Sequence, residues 1–312
     1  MRTSTSLGFG QIVFVGIAIL CFTPLFNPPI ALFIGILVAQ LIQHPFPQHN
    51  QKITSFLLQF SIVGLGFGMN LNTALAAGKQ GFSLTVASIF GTLFLGVLLG
   101  KLFKSDRISS FLISAGTAIC GGSAIAALSP VVKANEKQIS VALGVVFILN
   151  SAALFIFPAV GSMLHLTQNQ FGLWCAIAIH DTSSVVGAAA KYGTEALQVA
   201  TTVKLTRALW IIPLTFTCSF LFKNEEKKVK IPSFIGLFIL AIAINTYFPF
   251  VQKWSPNIVF LATKGLTLTL FLIGSNLSWK KMKSIGPIPI FQGVILWLSI
   301  SITALIFIKN FL

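Results

Sequence analysis

Five ionisable side chains, His180, Asp181, Lys204, Arg207 and Lys264, fall inside otherwise apolar stretches of the 312-residue chain. Within a bilayer each costs about 2.5–3.5 kcal/mol on insertion scales, so each needs a partner or a wet cavity. Asp181 is the sharpest position, because it is the one acid of six inside an apolar segment and is followed by three hydroxyl residues, Thr182, Ser183 and Ser184. Two overlapping readings apply to this run. Asp181 is an N-cap for a half-helix starting at Thr182, or a buried partner of Lys204 or Arg207. Alternatively, His180 to Ser184 is the break of a discontinuous helix that lines a permeation site. Lys204 and Arg207, at i and i+3, share one helix face, either snorkelling to an interface or adding positive charge near the site. Lys264, beside Gly265, reads as structural.

A second interruption is carried by Ala118 to Ala124, where Cys120, Gly121, Gly122 and Ser123 sit inside a hydrophobic run. Each glycine weakens a helix interior by about 1 kcal/mol relative to alanine, so the pair argues for a break or a close backbone approach. If both helices break, half-helices starting near Ser123 and Ser183 aim free N–H groups and positive dipole ends at a common space, which suits an anion. Asn70 and Asn276 are helix-ending caps or cavity-lining polar groups. No nucleophile elbow, phosphate-binding loop, HExxH or dinucleotide fingerprint is present, so no catalytic residue, metal site or cofactor is expected. The cysteines Cys21, Cys120, Cys175 and Cys218 lack metal-type spacing.

The elements that must position these residues follow from composition. The chain is 55% hydrophobic and 9% charged, against about 25% charged in an average soluble domain. Apolar segments run from Gly8 to Phe26, Pro29 to Ile42, Ile53 to Met69, Phe82 to Phe103, Ile108 to Val132, Ile139 to Phe157, Phe171 to Ala190, Leu197 to Phe222, Ile231 to Phe250, Ile258 to Leu277 and Ile288 to Ile308. Long runs rather than ten-residue alternation predict helices. The expected fold is therefore all-α: one polytopic membrane domain over 1–312, with about 9–11 transmembrane segments and two discontinuous or re-entrant helices. The first segment is expected to be retained rather than cleaved. The net charge of +15 is expected to serve the lipid bilayer and its headgroups, with no nucleic acid as partner.

Internal matches suggest inverted repeats, with halves near 28–158 and 169–310. Phe33 to Leu37 resembles Phe234 to Phe238, Gly68 to Leu71 resembles Gly274 to Leu277, and, at closer spacing, Ser123 to Ala127 resembles Ser183 to Gly187. If the fifth and seventh segments re-enter rather than cross, fourteen loop cations fall on the side of Arg2 and four on the other; if all segments cross, the counts are twelve and six. The positive-inside rule favours the first count, placing the N-terminus in the cytoplasm and the C-terminus outside.

At Gly116 to Ala127, Ile179 to Ala188 and Val203 to Arg207, the chain resembles the YeiH family of bacterial inner-membrane proteins, which are described as sulfate exporters. The break followed by Lys133-Ala134-Asn135-Glu136 is also similar to the crossover region of the bile acid and sodium symporter superfamily. That second resemblance implies a panel-and-core architecture with crossing broken helices. The expectation is a secondary transporter or facilitator of a small anionic substrate such as sulfate or a sulfonate, with Asp181 as proton or cation site. The coupling ion is left open among Na+, H+ and none, and a homodimer is compatible with the sequence. The alternatives are a cation-coupled importer of an organic anion, a membrane-embedded enzyme using His180 and Asp181, and a non-transporting receptor.

Overall fold

The computed structural model describes residues 9–23, 26, 28–42, 47–221, 233–276 and 285–311. Arg2, Lys223, Lys227, Lys228, Lys230, Lys280, Lys281 and Lys283, which carry much of the expected charge asymmetry, lie outside them. The described residues form helices and no strand: α1 (Phe9–Leu20), α2 (Pro28–Leu41), α3 (Pro47–Gly66), α4 (Leu71–Leu102), α5 (Arg107–Ala118), α6 (Gly122–Leu128), α7 (Glu136–Met163), α8 (Gln168–Ala178), α9 (Thr182–Tyr192), α10 (Thr194–Ala208), α11 (Ile211–Leu221), α12 (Ser233–Tyr247), α13 (Pro249–Gln252), α14 (Ser255–Gly274) and α15 (Pro287–Phe311). Within them Leu71–Leu102, Lys137–Met163, Ser255–Gly274 and Pro287–Phe311 are long and apolar enough to cross a membrane, and shorter apolar helices accompany them. The chain is an all-α, multi-pass membrane protein.

Contacts group the chain into two compact units, each drawn from distant stretches of sequence: 1–69 with 234–280, and 70–233 with 281–312. In the first unit α14 packs against α2 and α3. Its crossing with α2 is a backbone contact. A Cβ on Gly35 would collide with the Phe271 carbonyl, and one on Gly274 with the Leu32 carbonyl. Phe14, Cys21, Ala31, Val38, Phe271 and Leu272 close the core beside this crossing. Lys264, read as structural from its place beside Gly265, is bonded within this unit: Nζ donates to the Thr23 carbonyl at 2.5 Å.

The second unit holds both glycine- and Asp-marked interruptions. Its long helices α4, α7 and α15 surround the short ones, with α15 against α4, α5, α7 and α8. Gln292 of α15 is fully buried and joins three stretches. Its Nε2 donates to Ser110 Oγ at 2.7 Å, and its Oε1 accepts from Ser105 at 3.1 Å. Trp174 Nε1 of α8 donates to the Ser301 carbonyl of α15 at 2.9 Å. These bonds tie α15 to α5 and α8.

The start of α5 is set by Asp106, whose carboxylate accepts from the Ser109 N–H at 2.8 Å and from Gln138 Nε2 at 3.0 Å. Gln138 in turn completes a capping box with Asn135 at the start of α7. Partial burial raises the Asp106 carboxyl, but donation from the Ser109 N–H and hydroxyl, Gln138 and Ile108 outweighs it and leaves the group below its ordinary value of 3.8. A depressed carboxyl stabilises the fold above the unfolded pKa and loses that contribution as pH falls through the folded one. Asp106→Ala is therefore expected to lower thermal stability in detergent at pH 7 by about 1 kcal/mol, with the deficit shrinking below pH ~4. A deficit unchanged down to pH ~2.5 contradicts the charged cap.

Candidate functional site

Both interruptions expected from the sequence are present, and they meet. α5 ends at Ala118 and α6 begins at Gly122. Between them Gly121 adopts φ +65 and ψ −124, a conformation that side chains with a Cβ rarely enter. The chain bends sharply here: a Cβ on Gly116 would lie 3.0 Å from Ile125 Cδ1, whereas nine residues of continuous helix span about 13.5 Å. α8 ends at Ala178, and α9 begins at Thr182. The matched runs thus take the same role, Ser123 and Ser183 each being the second residue of a half-helix. A Cβ on Gly121 would sit 3.4 Å from Asp181 N and Cβ, and 3.1 Å from Val146 of α7.

Asp181 is the N-cap of α9. Its Oδ1 accepts from Ser184 N and from Ser183 Oγ, each at 2.6 Å, and Oδ2 accepts from Ser184 Oγ at 3.0 Å. Two of the three hydroxyl residues after the aspartate, Ser183 and Ser184, therefore serve its carboxylate.

Lys204 and Arg207 do not snorkel, because both side chains are 0% exposed. Nor is Asp181 their hydrogen-bonding partner. Lys204 Nζ donates to the Ile179 carbonyl at 2.6 Å and the Ala176 carbonyl at 3.2 Å. Arg207 Nε donates to the Ala118 carbonyl at 2.7 Å, and Nη1 to the Ile177 carbonyl at 3.0 Å. The acceptors are the last carbonyls of α5 and α8, which no following helical turn can satisfy once the helices are broken. A cation on a helix C-terminus also meets about half a negative charge from the aligned peptide dipoles. One face of α10 thus closes the ends of both broken helices, which explains the spacing of i and i+3.

Charge does not cancel at the breaks. Two cations face one carboxylate, while the half-helix ends contribute roughly −0.5 at each of two C-termini and +0.5 at each of two N-termini. With Lys204 and Arg207 both protonated, this sums to about one positive charge. Ser123 is exposed and Gly122, Asp181 and Thr182 are half-buried, so this rim is accessible, whereas Cys120, His180, Ser183 and Ser184 are buried behind it.

Several buried polar atoms have no hydrogen-bond partner among the described residues: both ring nitrogens of His180, Nδ2 of Asn150, Nη2 of Arg207 and Oγ1 of Thr117 and Thr202. Asn150 of α7 is a site residue the sequence reading missed. Its Oδ1 accepts from the His180 N–H at 3.0 Å and holds the non-helical link between α8 and α9. The available signal was a lone amide in the middle of an apolar run.

The structure brings Cys120, Gly121, Gly122, Ser123, His180, Asp181, Thr182, Ser183, Ser184, Lys204 and Arg207 into this region of the second unit. Asn70 instead caps the start of α4, its Oδ1 accepting from Asn72 N at 2.9 Å. It begins a helix rather than ending one. Asn276 follows α14 in the first unit, where its N–H donates to the Ile273 carbonyl at 3.1 Å.

Residues 12–293 match the family model described as Conserved hypothetical protein 698. A UPF0324 membrane protein of Bacteroides thetaiotaomicron is 56% identical over 90% of this chain and 86% of its own length. One from Porphyromonas gingivalis is 52% identical over 92% and 88%, and one from Shewanella oneidensis is 46% identical over 96% and 95%. No solved structure matches the chain.

The two glycines at the first break separate conformation from space. Gly121→Ala is expected to destabilise the detergent-solubilised protein by about 1–3 kcal/mol, because a Cβ strains the positive φ. Gly122→Ala adds a Cβ only at ordinary contact distance, 3.4 Å from Leu143 Cδ2, and is expected to stay within about 0.5 kcal/mol of wild type. Thermal unfolding of the two variants side by side checks this; equal effects contradict the assigned break.

Proposed function

We propose that this chain, which belongs to the Conserved hypothetical protein 698 family, is a secondary transporter or facilitator that moves a small anion across the membrane by alternating access. The paired helix breaks form its substrate site. The observation that carries this reading is the burial of Lys204 and Arg207 on carbonyl oxygens alone, which leaves net positive charge beside an accessible rim of Gly122, Ser123, Asp181 and Thr182. Irregular backbone in a membrane protein is tolerated where it is sealed by protein or lines a watery cavity, and interrupted helices meeting at one point are a recurrent transporter device.

Each group has a role in this reading. Asp181 holds the start of α9 in place through Ser183 and Ser184. Lys204 and Arg207 supply fixed positive charge and keep the ends of α5 and α8 from closing into continuous helices. Ser123 and Thr182 offer hydroxyl donors at the rim. The chemistry is binding and release, with no covalent step.

The substrate class is a small oxyanion such as sulfate or a sulfonate, and the direction is outward across the bacterial inner membrane, with the N-terminus cytoplasmic. A dianion leaving an inside-negative cell gains about 4.6 kcal/mol at 100 mV, so the membrane potential is a sufficient driving force for export.

The test is radiolabelled sulfate flux in proteoliposomes under a potassium–valinomycin potential. Wild type is expected to move sulfate towards the positive side. Asp181→Asn is expected to lower the rate by roughly tenfold or more through loss of the charged cap, and Gly122→Val by a similar factor by crowding Leu143 and Phe147 of α7 and displacing the rim, while Gly122→Ala transports. Wild-type rates in both Asp181→Asn and Gly122→Val contradict the site.

A further inference from the structure

Asp181 was the expected proton site, but its oxygens are already committed to Ser183 and Ser184. The titratable group that is not committed is the residue before it. His180 lies in the non-helical link between α8 and α9, and its side chain is 0% exposed. Both Nδ1 and Nε2 lack a partner among the described residues, although the backbone N–H is fixed by Asn150 Oδ1. The peptide position is therefore held while the ring is left with one donor and one acceptor to satisfy. A buried imidazole in this state is free to take a water, a ligand or a second proton.

The charged groups that act on His180 are Lys204 and Arg207 of α10. Asp181, Cys120 and Cys175 lie near enough to act on Lys204. Lys204 and Arg207 are anchored to carbonyls and do not move away to accommodate an imidazolium. An anion at the break brings negative charge close to the ring, so anion and proton favour each other's arrival. Arg207 Nη2 and Asn150 Nδ2 are likewise buried donors with no partner among the described residues.

Building on the transport reading, we propose that His180 is the proton site of a coupled cycle: it takes one proton when the anion binds and gives it up when the anion leaves, so that the two cross together. The step is a proton transfer from solvent to a ring nitrogen and back to solvent on the opposite side, with no other bond formed or broken. A dianion accompanied by one proton still carries net negative charge, so the membrane potential continues to favour its export while the proton gradient gains a hold on the rate.

The experiment uses proteoliposomes of the full chain loaded with a pH-sensitive dye, with sulfate as the probe and both labelled sulfate and dye signal recorded. Wild type is expected to move one proton per sulfate in the same direction. His180→Gln keeps a polar side chain that cannot carry the proton. It is expected to retain measurable sulfate flux with a proton-to-sulfate ratio roughly tenfold lower and a flattened pH dependence between about 5 and 8. Asp181→Asn is expected to slow sulfate while leaving the ratio at one. Sulfate flux in wild type without proton movement overturns this inference and leaves the transport reading standing. A ratio kept by His180→Gln, or lost in Asp181→Asn instead, likewise overturns it. Absence of any sulfate flux in wild type contradicts the transport reading and this inference together.

Discussion

A carbonyl oxygen at the end of a helix has no intrahelical donor, and inside an apolar protein it has no water either. This constraint governs the second unit. α5 and α8 both end in the interior, and their final carbonyls are met by the side chains of Lys204 and Arg207. The arrangement resolves two costs at once, since a buried cation also needs compensation and receives it from aligned peptide dipoles. Neither half is stable without the other. Replacing the cations would strand the carbonyls, and continuing the helices would strand the cations.

The remaining parts of the site follow from that exchange. Gly121 permits the turn out of α5, Asp181 restarts the chain as α9, and Asn150 holds the link between α8 and α9. Lys204 and Arg207 are compensated by carbonyl dipoles rather than by carboxylates. In the proposed transport reading, the positive charge left at the breaks is what draws the anion. The long helices α4, α7 and α15 supply the frame, and Gln292 and Trp174 tie α15 to α5 and α8 so that the two broken helices are positioned against one scaffold.

Much of this was legible in the sequence because it is expensive to keep. Paired glycines in an apolar run and an aspartate followed by hydroxyl residues have few uses in a membrane other than a helix break and its cap, and both breaks appear where they were expected. The partners of Lys204 and Arg207 were not legible. Their spacing placed them on one face, but a backbone carbonyl has no signature in a sequence, and the acceptors lie up to 89 residues away. Asn150 was hidden for a related reason, as a lone amide has no spacing partner to mark it. The segment from Leu197 to Phe222 was read as one run, yet it is two helices parted at Leu209 and Trp210. Pro213, whose ring clashes with the carbonyl four residues earlier, was the available signal. Hydropathy also began α4 at Phe82, whereas the cap at Asn70 starts it at Leu71.

The most direct measurement is an experimental structure of the protein with selenate, an anomalously scattering analogue of sulfate. The expected result is a selenium peak at the rim formed by Gly122, Ser123 and Thr182, with Lys204 and Arg207 still bound to the carbonyls of α5 and α8. A rim without selenate, together with Lys204 or Arg207 paired directly to Asp181, would contradict the claim that dipole-compensated cations hold the breaks open for an anion.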